Sequence, residues 1–219
     1  METVSWAVEH QKILITVGII VAVVALIVLG TWYYLDQQNQ EAGLAMAHAM
    51  RTYNAQIAAP GTPAQPGITT FPSIEERARA AQREFRDIAS KYSHTHSGEI
   101  ARYFAAITDL DLGNNKAAEQ ELKNIGSSHN SDLASLAKLA LASAYHADGN
   151  ETDAIATYKD LINHPTRAVG KSTAELELAG LYADKQQPDE ARKLYEQIRK
   201  DDPKSAAAET AANKLQGLK

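Results

Sequence analysis

Four times in this chain an alanine is followed four positions later by a large apolar residue and three positions further by an aliphatic one. The sets are Ala81-Phe85-Ile88, Ala118-Leu122-Ile125, Ala154-Tyr158-Leu161 and Ala191-Tyr195-Ile198, recurring every 37, 36 and 37 residues. Offsets of four and three place each set on one face of a helix. A fixed period of this length describes helical hairpins that cannot bury their apolar faces alone and must stack on their neighbours. The fold class expected is therefore all-α, an α-solenoid of about four hairpins.

A second feature precedes the repeats. From Ile13 to Leu35 the chain carries no charge in 23 residues, enough to cross a hydrocarbon core of about 30 Å as one helix. Trp6 lies before this run and Trp32, Tyr33 and Tyr34 close it, where amphipathic rings favour the membrane interface. A cleaved signal peptide would have a shorter apolar core followed closely by small residues. Here the first small-residue cluster, Ala45 to Ala49, lies well beyond the run. Lys12 precedes the span, and no basic residue follows it until Arg51. Lysine and arginine bias then puts residues 1–12 in the cytoplasm and the large domain outside it, periplasmic or otherwise extracytoplasmic.

Composition narrows the functional classes. The 219 residues carry a formal charge of −5, with Lys and Arg scattered among carboxylates, so there is no basic stripe for a phosphate backbone. The absence of cysteine excludes disulfides, thiolate nucleophiles and cysteine-based metal sites. His94-Thr95-His96 has no evident third metal ligand, and Ser127-Ser128-His129 lacks an orienting carboxylate at a recognisable spacing. No glycine-rich phosphate loop follows a strand, and no convincing strand is legible. The residues predict no catalytic group, no metal site and no cofactor.

Local signals set the boundaries. After the span the same helix can continue: Met46, Met50, Tyr53 and Ile57 share one helical face and predict a stalk and first repeat helix over 36–58. Pro60, Pro63, Pro66 and Pro72 make 59–72 a flexible loop. Ser73 and Glu76 form a capping box that restarts a helix over 73–92. Further helices are expected over 98–112, 115–126, 132–147, 151–163, 171–185 and 188–200, so that repeats fill 73–202. Gly113-Asn114 and Gly149-Asn150 suit the left-handed residue that ends a helix, Gln186-Gln187 replaces that pair in the last repeat, and Pro188 suits a first helical turn. A final helix over 203–217, in the segment 203–219, would cap the open end of the stack.

Leu141-Ala142-Tyr145 and Leu178-Ala179-Tyr182, with Pro203 as a closing proline, resemble the tetratricopeptide repeat. The second repeat departs from it with Ala105-Ala106-Asp109, and the periods of 36 to 37 exceed that family's 34. The whole-chain layout resembles the YfgM-type ancillary subunits of the SecYEG translocon: a short tail with Trp6, one span, a split first hairpin and a divergent repeat domain. That resemblance implies a repeat domain held beside the translocon. Its implied partners are translocon subunits, a membrane-anchored periplasmic chaperone of prolyl-isomerase fold, and segments of exported client proteins.

In such repeats the inner face of the first helix of each hairpin lines a groove. Those positions hold Ile100, Tyr103, Ile107 and Leu110, then Leu136, Leu139, Ser143 and His146, then Leu176. The set is apolar and lacks the Lys, Arg and Asn needed to grip a terminal carboxylate. Two readings stand: the strip accepts an apolar or amphipathic segment of another protein, or neighbouring helices cover it. The function expected is a membrane-anchored protein–protein interaction module in protein export or periplasmic chaperoning. The alternative is an envelope scaffold for cell division or outer-membrane assembly.

Overall fold

The computed structural model describes residues 11–58 and 69–218. Helix α1 (Gln11–Tyr53) is followed by two short strands, β1 (Gln56–Ile57) and β2 (Thr70–Phe71), and then by α2 (Ile74–Lys91), α3 (His96–Asp111), α4 (Asn115–Gly126), α5 (Ser131–Ala147), α6 (Glu151–Asn163), α7 (Lys171–Asp184), α8 (Pro188–Asp201) and α9 (Ala206–Gly217). Each helix packs on the next in sequence, and α1 also reaches α3 while α3 reaches α5. This is the nearest-neighbour architecture of a solenoid, with the first helices of successive hairpins forming an inner layer.

All twelve residues of the repeated sets are buried, none more than 5% exposed. The alanines let paired helices approach closely, and the larger members fill the space between hairpins. Three clusters result. One joins α1 to α2 and α3 around Ala42, Ala49, Phe85 and Tyr92. The largest runs from α3 to α7 around Leu122, Tyr145, Tyr158 and Leu178. The third holds α9 against α7 and α8 through Ala179, Tyr195 and Ala211, so α9 covers that end of the stack.

The same turn ends α3, α5 and α7. Asn114, Asn150 and Gln187 donate their amides to the carbonyls of Asp109, Tyr145 and Tyr182 at 2.8, 2.8 and 2.9 Å, the six-to-one bond of a Schellman motif. The preceding residue must be left-handed. Gly113 and Gly149 have φ of 75° and 76°, and Gln186 takes φ 57° in the third copy, at a steric cost glycine would avoid.

Some boundaries differ from the sequence reading. The apolar run continues into the first repeat helix, as the sequence allows, giving one α1 of 43 residues, but that helix stops short of position 58. It ends at Tyr53, where the Asn54 side-chain amide donates to the Met50 carbonyl at 2.8 Å; the chain then pairs β1 with β2 in parallel, Gln56 opposite Thr70. No strand was expected here, because two residues are too short to show an alternating pattern. Loop positions 59–68 lie outside the described residues. Arg77 fastens this end by donating to the Ala55 carbonyl at 3.1 Å. Helix α9 starts at Ala206, three residues past Pro203, because Ser205 caps it by accepting from the Ala208 amide at 3.1 Å.

One buried carboxylate carries a pH dependence. Glu175 on α7 is 3% exposed and has Lys171 Nζ at 3.4 Å, while Lys171 also reaches Asp201 of α8 at 2.7 Å. Burial raises the Glu175 carboxyl above its ordinary range, with Lys171 opposing. A raised carboxylate penalises the fold while ionised, so this contribution improves as pH falls through the raised value toward the ordinary one. The opposite holds for Asp132, Asp160 and Asp201, which Arg167, Lys138 and Lys171 hold low. Glu175→Gln should therefore be more stable than the parent at neutral pH, with the difference shrinking on acidification. Unfolding midpoints of both chains across that range test this; an unchanged midpoint at neutral pH refutes it.

Candidate interaction surface

The inner faces of α3, α5 and α7 carry the positions expected to line a groove. Ile100, Tyr103, Ile107, Leu110, Leu136, Leu139, His146 and Leu176 are half-buried and Ser143 is exposed. Tyr103, Leu110, Leu136 and Leu139 pack against the main core, and Leu176 against the third cluster. The strip is thus continuous with the core beneath it and shallow rather than open.

Polar groups along the strip are largely tied down. The Ser143 hydroxyl lies 3.2 Å from the Leu139 carbonyl and 3.0 Å from the Tyr158 hydroxyl. His146 Nε2 sits 3.3 Å from Asp184 and bridges the last two hairpins, whereas its Nδ1 is buried with no hydrogen-bond partner among the described residues. Burial raises the Tyr103 and Tyr158 hydroxyls above their ordinary range, so both stay neutral at physiological pH. Toward α1 the strip ends in aromatic rings: Tyr103 packs edge-on to Phe104 at 5.3 Å, and Tyr53 meets Phe104 at 5.9 Å. Such a surface can exchange apolar contacts and a few neutral hydrogen bonds. It offers no cation for an anionic ligand.

The weaker sequence candidates resolve into structural roles. Thr95 is buried and caps α3 through a 3.0 Å bond from the Gly98 amide, with His94 and His96 exposed on either side. Ser127 and Ser128 donate to the Lys123 and Asn130 carbonyls at 3.1 and 3.5 Å, and His129 is exposed.

Two crevices on the outer side escaped the sequence reading. One of about 400 Å³ lies among α2, α3 and α4, with Ala89, Ala105 and Ala117 inside and the pairs Arg86–Asp109 and Arg102–Glu121 on its walls. Its counterpart of about 360 Å³, among α4, α5 and α6, includes Lys123, Gly126, Lys138 and Asp160. Arg86 and Lys123, Ala89 and Gly126, and Arg102 and Lys138 are one repeat apart. That offset was the available signal, but it fell outside the buried triplet that reveals the repeat. In both crevices the cations are already paired with carboxylates, leaving no free charge to recruit a ligand.

The tetratricopeptide repeat-like domain family matches residues 5–159, and the tetratricopeptide repeat itself matches residues 173–205. Neither a curated protein nor a solved structure matches the chain. The first match spans well over half of the 219 residues and agrees with the stacked helical hairpins. The chain belongs to the tetratricopeptide repeat-like family.

Proposed function

We propose that this protein is a membrane-anchored interaction module, an accessory of the Sec translocon and the periplasmic chaperones that meet exported proteins. It acts by binding and not by catalysis, with residues 1–12 cytoplasmic and the repeats outside the inner membrane. The carrying observation is the continuity of α1. From Ile15 to Leu35 it is exposed, long and apolar enough to cross a bilayer, and the same helix supplies Ala42, Ala49 and Tyr53 to the first hairpin. From Leu35 to Ala42 is about 10 Å along the helix axis. The repeats are thereby held close above the headgroups, at a height suited to partners that are themselves in the membrane or emerging from it. The half-buried strip from Ile100 to Leu176 then serves as the docking face for an apolar or amphipathic segment.

Photocrosslinkers at Ile107 and Ser143 in the full chain, in native membranes, test both parts. Capture of translocon subunits, an envelope chaperone or nascent exported chains supports the reading. Capture of division or outer-membrane assembly components replaces it with the scaffold alternative. A folded, inserted protein that captures nothing from either position refutes the inner strip as the docking face.

A further inference from the structure

The two ends of the stack are finished differently. At the carboxyl end, α9 lays Ala211 and Leu215 over the last hairpin. At the amino end, the face of α1 that looks away from α2 is covered by no described element. Ala42, Met46, Ala49 and Tyr53 point inward; at 100° per residue, Gln37, Gln40, Leu44 and Ala47 fall on the opposite side, and all four are exposed. Leu44 is 75% exposed, the highest value among the described large hydrophobics. The spacing of this stripe alternates three and four, the heptad pattern of a coiled-coil seam. The same alternation runs back into the apolar part of the helix through Tyr33, Gly30 and Leu26 to Val23 and Ile19.

We propose that this face pairs with the same face of a second copy of the chain, parallel and in register, along the span and the stalk together. The inference rests on the membrane-anchor reading, because two copies lie parallel and level only if both α1 helices cross the same bilayer. Charge selects the occupant. In a parallel self-pair each seam residue meets its own copy, so any charge there would repel itself. From Ile19 to Ala47 every seam position is uncharged, although Asp36 and Glu41 lie between them. The glutamines are prepared for such a seam. Gln37 donates to Glu41 at 3.3 Å and Gln40 to Asp36 at 2.9 Å. Each is steadied by a bond within its own helix, with its side-chain carbonyl available to accept across the pair. A polar residue at a seam position fixes register and copy number.

The chain has no cysteine, so single cysteines report the pairing directly. Gln40→Cys, Leu44→Cys and Ala47→Cys in the full chain, oxidised in membranes, should give several-fold more covalent homodimer than Glu41→Cys and Gly43→Cys on the flanks. Adding Leu44→Lys to the Ala47→Cys chain should abolish the dimer without unfolding it, since Leu44 is exposed. Equal yields on all faces, no dimer at any position, or adducts only with a different protein would overturn the proposal. Carbonate extraction of the same membranes separates this from failure of the anchor: a chain that washes off was never spanning, whereas one that stays without periodic crosslinks spans but does not pair.

Discussion

Phe85→Ala should cost the folded chain about 3–5 kcal/mol, the range for deleting a fully buried aromatic side chain. Phe85 has no exposed surface; its ring stacks on Phe104 at 5.3 Å and meets Tyr53 edge-on at 6.1 Å. It is the large residue of the first repeated set, and from α2 its ring reaches both α1 and α3. Alanine would leave a hole bounded by α1, α2 and α3 that helices fixed by neighbours on both sides cannot close. The damage should be local in kind. Interactions in a solenoid are between nearest neighbours, so the loss should loosen α1 and α2 while α5 to α9 keep their own clusters. Denaturant unfolding of the detergent-solubilised full chain measures the total, and amide exchange locates it. A loss below about 1 kcal/mol, or uniform loss of protection out to α9, would contradict this account, given the usual cost of such cavities. Phe85→Leu, which keeps most of the volume, should cost appreciably less. The variant also bears on function, because this cluster is the joint between the helix long enough to cross a membrane and the repeats.

The repeat was legible because a solenoid writes its core into the sequence at one-repeat intervals. Ala118, Leu122 and Ile125 occupy the same places in their hairpin as Ala154, Tyr158 and Leu161 in the next, and all are buried, so the pattern could be read without knowing any contact. The turns were legible for the same reason: Gly113 and Gly149 sit where the backbone must be left-handed. Gln186 is the exception: its place one repeat after Gly149 marks the left-handed position, but its residue type does not. What the sequence hid depends on contacts far apart in the chain. The end of α1 at Tyr53, short of Ile57, goes with the strand pairing that follows it. The pairing of Gln56 with Thr70 joins positions separated by a proline-rich loop. For the inner strip, the sequence showed which face carries Tyr103, Leu139 and Leu176. Its depth was not legible, because that depends on how far each side chain sinks between helices.

The second large effect concerns Asp109, one repeat before Tyr145 and two before Tyr182, where a carboxylate occupies the place of an aromatic ring. Asp109 is 5% exposed. It accepts from Gln82 at 2.6 Å, from Arg86 at 2.8 and 2.9 Å and from the Asn114 side chain at 3.0 Å. Two of these donors come from α2, so the cluster locks the first hairpin to the second where later repeats rely on a ring. Arg86→Ala should cost about 3 kcal/mol, at the low end for breaking a buried pair, because it leaves the carboxylate buried with only neutral donors. Asp109→Ala should cost somewhat less, about 2 kcal/mol, since the guanidinium it releases is half-exposed and regains water. The double substitution should cost clearly less than the sum, the signature of groups that act together. Salt sharpens the test. The exposed Arg79–Glu75 pair earlier on α2 should weaken as ionic strength rises, whereas the Arg86–Asp109 coupling should persist because one partner is shielded from solvent. Strict additivity, or a coupling that vanishes in salt, would mean that the contact is a surface ion pair and that α2 and α3 are held together by the Phe85 cluster alone.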